Sequence, residues 1–165
     1  MRMRVFWMAM VAASVASVAC QQTPVVPVIE APPVELRVTI SDSVLFLGEV
    51  DTINVIIKNT LTVVARLAFP TQCQDRVFIK NLAGAIVLPA TGDYVCAPVT
   101  SQLSIPPGDS IVRTYYWTGG QSLSPPDPST KLPPGRYFVS ATLQASNYSV
   151  SAFPFAIRLS SNLAR

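Results

Sequence analysis

The chain has 165 residues, half of them hydrophobic and 13% charged, with 15 prolines, 3 cysteines, no histidine and a formal net charge of +3. That balance excludes a disordered chain, which combines low hydrophobicity with high net charge. The absence of histidine excludes Ser-His-Asp and Cys-His catalysis, histidine-bearing metal sites and histidine pH switches together.

The first element in chain order is an address. Arg2 and Arg4 precede an apolar run, Val5–Val18, and the small-residue sequence Ser17-Val18-Ala19-Cys20 follows. This is the n-region, h-region and cleavage pattern of a secretory signal peptide over residues 1–19. The run falls short of the roughly 20 residues that span a bilayer. Cys20 directly after Ala19 resembles a bacterial lipobox, which implies lipid attachment at Cys20. The alternative is a plain secreted protein with a free Cys20. Two or three acyl chains, at about 0.8 kcal/mol per buried methylene, would hold the chain on a membrane. In a Gram-negative cell, Gln21 rather than aspartate after that cysteine points to the outer membrane. Taking Arg2 and Arg4 from the 12 basic residues leaves 10 against 9 acidic ones. No basic patch for nucleic acid survives that subtraction.

Residues 20–35 form the next element, a tether. Gln21–Glu35 holds four prolines and no glycine. It favours an extended segment, reaching roughly 45 Å at about 3.1 Å per residue.

From residue 36 to 165 the sequence predicts one all-β domain. Leu36–Ile40, Thr52–Asn59, Val63–Phe69, Arg76–Lys80, Ile86–Leu88, Arg136–Leu143 and Phe153–Leu159 alternate apolar with polar residues or resume such a run. Ser110–Trp117 is apolar on both faces, so its register stays open. About seven to eight such runs, separated by turn residues, predict an immunoglobulin-like antiparallel β-sandwich. In Phe153–Leu159 the expected inward residues are Phe153, Phe155, Ile157 and Leu159. Pro154 donates no ladder hydrogen bond, so that strand starts or runs along a sheet edge there. Pro-Pro-Gly turns at 106–108 and 133–135 each lead into a strand. Tyr137, just after the second turn, is either a tyrosine corner or an ordinary core tyrosine.

Several of these features, in order, resemble the BsuPI-type intracellular proteinase inhibitor domain family. They are the strand ending at Lys58-Asn59-Thr60, then Leu67-Ala68-Phe69-Pro70, Asp75-Arg76-Val77-Phe78-Ile79 and the hairpin at Ala83-Gly84. Ile105-Pro106-Pro107-Gly108-Asp109-Ser110, Trp117 and Leu132-Pro133-Pro134-Gly135-Arg136-Tyr137 follow. The resemblance covers most of Val38 to Leu159. It implies an immunoglobulin-like sandwich and inhibition of a subtilisin-like serine protease. This chain departs from the family in its export signal and in carrying Cys73 and Cys96, which suit an extracytoplasmic member.

The cysteines and one loop complete the candidate sites. With Cys20 assigned to the lipid, Cys73 and Cys96 remain to pair in an oxidising compartment. Neither lies in a Cys-x-x-Cys motif, so the expected disulfide is structural. The loop 118–134 is long, polar and proline-rich. Loops of this kind are functional or mobile. As a partner-binding loop it would present Leu123, Pro125, Pro126 and Lys131, its prolines lowering the entropy lost on binding. Tyr115, Tyr116 and Trp117 are either an exposed aromatic patch or core. The aspartates form no paired-carboxylate or calcium-loop pattern. No catalytic residue, metal, cofactor or small-molecule substrate is therefore expected. The expectation is an exported, lipid-anchored, non-catalytic domain of the bacterial cell envelope that binds a protein, a serine protease being the most specific candidate. The alternative is a structural or assembly module of the envelope.

Overall fold

The computed structural model describes residues 32–123, 130–146 and 148–161, all within the unit Ala31–Arg165. Among them are eleven strands and no helix. In chain order they are β1 (Val34–Ile40), β2 (Val44–Phe46), β3 (Asp51–Asn59), β4 (Ala65–Phe69), β5 (Asp75–Asn81) and β6 (Ile86–Leu88). The rest are β7 (Ser101–Ile105), β8 (Ser110–Trp117), β9 (Gly135–Ala145), β10 (Tyr148–Ser151) and β11 (Phe155–Ser160).

The period-two patterns place one apolar face of each long strand inward. Ile53, Val55 and Ile57 of β3 are buried, as are Tyr137, Val139, Ala141 and Leu143 of β9. One sheet runs β1-β3-β8. The other runs β2-β11-β9-β5-β6, with β10 beside β9. Val34, Leu36 and Val38 of β1 and Trp117 of β8 share a single core with Val77, Ile79, Ile157 and Leu159 of the second sheet. The fold is an all-β, immunoglobulin-like sandwich. Its ladders are antiparallel except for β2, which runs parallel to β11. Through β2 the chain leaves the first sheet after β1, joins the second, and returns with β3.

A third ladder, β4 with β7, continues the β3–β8 ladder around a corner. Lys58 pairs with Ser110, and Ala65 pairs with Ile105. Between these pairs lie residues 59–64 on one chain segment and 106–109 on the other. Asn59, 1% exposed, fills the corner. Its Nδ2 donates to the carbonyls of Val63, Ile105 and Pro106 at 2.8, 2.8 and 3.0 Å. Its Oδ1 accepts from the Leu61 amide at 2.8 Å. Backbone groups freed from the ladder by the bend thus find a partner without water.

Several expectations are corrected in detail. There are eleven strands among the described residues rather than seven or eight, because β2, β7 and β10 are only 3, 5 and 4 residues long. β1 begins at Val34, inside the segment read as tether, and Val34 is buried. The run expected from Val63 starts only at Ala65. Val63 and Val64 are exposed in the corner, where Asn59 takes the Val63 carbonyl. Phe153 does not face the core. It is 95% exposed and precedes β11, whose ladder begins only after Pro154. Phe155, the first residue of β11, is 39% exposed, so of the four residues expected inward only Ile157 and Leu159 are buried. The open register of β8 resolves with Trp117 buried and Tyr116 exposed. Tyr137 takes the tyrosine-corner arrangement: its hydroxyl donates to the Pro133 carbonyl at 2.7 Å.

Candidate functional site

Three places on the domain bring polar and apolar chemistry together. The first is the base of the loop between β8 and β9. Gly120 pairs with Lys131 in an antiparallel bridge. The Gln121 amide donates to the Thr130 carbonyl at 3.0 Å, and the Leu132 amide to the Gly119 carbonyl at 2.8 Å. From below, the buried Trp117 Nε1 donates to the Gly120 carbonyl at 2.8 Å. Leu132 is buried, and the tyrosine-corner bond from Tyr137 holds Pro133. Gly119 has φ +78°, and a Cβ there would meet Leu47 at 3.1 Å and Leu159 at 3.3 Å. Glycine is therefore favoured by the left-handed backbone, and a Cβ would also have to displace the two leucine side-chain ends by a few tenths of an ångström. Leu123 is half-buried against the core, whereas Lys131 is exposed. Pro125 and Pro126 lie outside the described residues, as does Cys20.

The second place surrounds the disulfide. Cys73 and Cys96 are bonded, with their Cα atoms 5.6 Å apart. The bridge ties the β4–β5 connection to the β6–β7 connection, where the Gln72 amide also donates to the Ala97 carbonyl at 3.1 Å. A disulfide suits a protein exported to an oxidising compartment. Beside it, the Tyr115 hydroxyl donates to Asp75 Oδ2 at 2.7 Å, and Arg113 donates to Gln74 Oε1 at 3.0 Å. Tyr94 donates its hydroxyl to the Val77 carbonyl, and its ring meets Phe78 edge-on at 5.6 Å. Burial pushes the Tyr94 phenol up to about 12; the bond to Val77 opposes this and the charge of Asp75 adds to it. Burial, and then the hydrogen bond to Asp75 and its charge, also raises the Tyr115 phenol above its ordinary value. Both phenols stay protonated through the neutral range. The cluster therefore offers bound donors, not a base.

The third place is a groove of about 460 Å³ on the outer face of the second sheet. Phe78 of β5 and Phe138 of β9 line it, with Ile86, Leu82, Lys80 and Thr142 around them. Both phenylalanines occupy positions that alternate with buried core residues, so they leave from the face that ordinarily meets water. Sequence reasoning assigned Phe78 to the polar face without giving it a role, and did not single out Phe138. The available signal was an aromatic residue on the non-core parity of each strand.

Among the described residues no group of three or more Cys, Asp or Glu side chains could hold a metal ion. The buried carboxylate of Asp51, 1% exposed, serves the backbone instead. Its Oδ1 accepts from the Ser41 hydroxyl, from the Asp42 amide at 3.3 Å and from the Thr52 amide at 2.7 Å.

No protein-family model matches this chain, and no curated protein matches it. Solved structures do show likeness. A β-glucosidase from Erythrobacter marinus is 13% identical over 77% of this chain and 16% of its own length, with a TM-score of 0.44. The CARDB domain of the PF1109 protein from Pyrococcus furiosus, in complex with di-metal ions, is 19% identical over 77% of this chain and 89% of its own, with a TM-score of 0.45. The alkylpurine DNA glycosylase AlkC from Pseudomonas fluorescens is 14% identical over 78% of this chain and 30% of its own, with a TM-score of 0.43. This chain spans only a small part of the two enzymes. At such identities and scores no activity passes from any of the three to this protein.

Proposed function

We propose that this chain is a non-catalytic, lipid-anchored domain of the bacterial cell envelope that binds a protein, with serine-proteinase inhibition the most specific form of that activity. Export and anchoring rest on the signal-like residues 1–19 and on Cys20. The disulfide between Cys73 and Cys96 supports an extracytoplasmic setting. Non-catalysis rests on the chain's lack of histidine and on the neutral state of Tyr94 and Tyr115.

The observation that carries the reading is the clasped base of the β8–β9 loop. A loop held on both sides by backbone bonds and from below by Trp117 and Tyr137 loses less entropy on binding. Cleavage at the described base, residues 118–123 and 130–134, would require those bonds to open. Lys131 is the exposed anchor on its described part. The test is an inhibition titration of the full chain in detergent against subtilisin- and trypsin-like serine proteases. Stoichiometric inhibition with the loop left intact supports the inhibitor. Digestion at the loop, or no inhibition, removes it.

A second reading, an assembly module of the envelope, is favoured by the Phe78–Phe138 groove. A concave apolar surface on a sheet face is a form that partner sites take. Capture of envelope proteins by the anchored chain, lost on substitution in the groove and kept on substitution of Lys131, would select this reading.

A further inference from the structure

The strands of the second sheet, β2, β11, β9, β5, β6 and β10, carry four cationic side chains and one acidic one. The acid, Asp75, is engaged by Tyr115 of the opposite sheet. One cation, Arg76, is paired with Asp93 at 3.3 Å. The other three, Lys80, Arg136 and Arg158, form no ion pair among the described residues. Arg136 and Arg158 stand directly opposite one another across β9 and β11. Both alternate with the buried Tyr137, Ile157 and Leu159, so both leave from the outer face. Like charges directly opposite destabilise a sheet, and no ion pair among the described residues offsets this one.

The next pairs along the same strands are Phe138 with Ala156 and Phe138 with Lys80. Phe138 is thus bordered by three cations that form no ion pair among the described residues, and together with Phe78 it lines the apolar groove. Two residues along a strand cover about 6.8 Å. That is the step from Phe138 to Arg136. It is also the spacing of alternate side chains on any extended peptide.

We propose that this outer face is a docking site for an extended protein segment in which an apolar side chain is followed, two residues on, by a carboxylate. The apolar group fills the Phe78–Phe138 groove. The carboxylate lies between Arg136 and Arg158, whose planar guanidinium groups suit two-point recognition. Charge complementarity identifies the occupant, since the strands of this face carry cations and their one acid, Asp75, is engaged by Tyr115. The inference rests on the protein-binding reading and assigns its surface and its ligand chemistry.

The test is selection of a displayed random-peptide library on the full chain in detergent, followed by Kd measurements on the enriched peptides by fluorescence anisotropy. Enriched peptides should carry an apolar residue with Asp or Glu two positions on. Arg136→Glu and Arg158→Glu should each weaken them about tenfold or more. Raising salt from about 0.05 to about 0.5 M should weaken the wild type and not the charge-reversed variants. Phe138→Ser should abolish binding. Each charge reversal creates an opposite-charge pair across β9 and β11, so its thermal midpoint should be equal to or above the wild type's; this separates lost binding from lost folding. Enrichment without acidic residues, or affinity unchanged by either reversal, overturns the site. In the latter case the peptides bind elsewhere and the protein-binding reading stands. No enrichment at all overturns the docking site and leaves the inhibition titration to judge that reading.

Discussion

Replacing Asn59 tests the claim that one side chain holds the corner between the two successive ladders. The amide of Asn59 supplies two hydrogens, shared among the carbonyls of Val63, Ile105 and Pro106, and its oxygen accepts from Leu61. That is the equivalent of about three satisfied bonds, each contributing about 1 kcal/mol net. Asn59→Ala should therefore cost about 3 kcal/mol. The bond to the Ile105 carbonyl is fully buried, so leaving that group unpartnered takes the loss toward about 4 kcal/mol. Asn59→Asp should be worse at neutral pH, because a carboxylate would face three carbonyl oxygens. Its folded-state pKa would then be raised above the ordinary value of about 3.9, so its relative stability is present below that pH and lost as pH rises. Urea unfolding followed by tryptophan fluorescence measures both, with the slope m held as the check on two-state behaviour. A loss below about 1 kcal/mol for both variants would refute the reasoning. It would mean that water reaches the corner and satisfies the carbonyls.

Three further outcomes follow from the same structure. Gly119→Ala should cost about 2 kcal/mol, from a left-handed backbone and displaced Leu47 and Leu159 side chains; faster hydrogen exchange at the Gln121 and Leu132 amides would show that the loop base has loosened with it. Replacing Cys73 and Cys96 by serine opens a bridge between residues 23 apart and should cost about 3 kcal/mol by chain entropy, read as a lowered urea midpoint. At high pH the domain should lose stability as tyrosines ionise: Tyr94 is pushed up to about 12 and Tyr115 is raised too. Since their folded values lie above the unfolded one of about 10, the stability they contribute is complete below that pH and falls as pH rises further. Phenolate absorbance should show these groups ionising late, and Tyr115→Phe should flatten the alkaline loss.

Strands β1, β3, β5 and β9 were legible because apolar residues recur at every second position, whereas β8, apolar on both faces, was not. Ile53, Val55 and Ile57, or Val139, Ala141 and Leu143, cannot face water on a sheet without exposing the core. The short strands were not. In β2 only Leu45 is buried, and its parallel pairing with β11 joins residues more than a hundred positions apart. Phe153 misled because its parity matches that of Ile157 and Leu159, while Pro154 interrupts the ladder between them. Of the candidate site, the cysteine pair was legible by counting, and the β8–β9 loop by its length and prolines. The groove was not. Phe78 and Phe138 are ordinary residues in sequence until β5 and β9 come into register.

Taken alone, the order of residues determined the all-β class, the inward faces of β1, β3, β5 and β9 and the absence of histidine chemistry, and with Cys20 set aside for a lipid it pointed to the pairing of Cys73 with Cys96. These follow from local periodicity and from composition, which no packing can alter. Only the tertiary structure decided that Asn59 closes a corner, that Trp117 and Tyr137 brace a loop base, and that Arg136 faces Arg158 beside an aromatic groove. Each of those depends on strand register between distant segments. Register is set by the fit of both sheets to one shared core, and no single stretch of chain contains it.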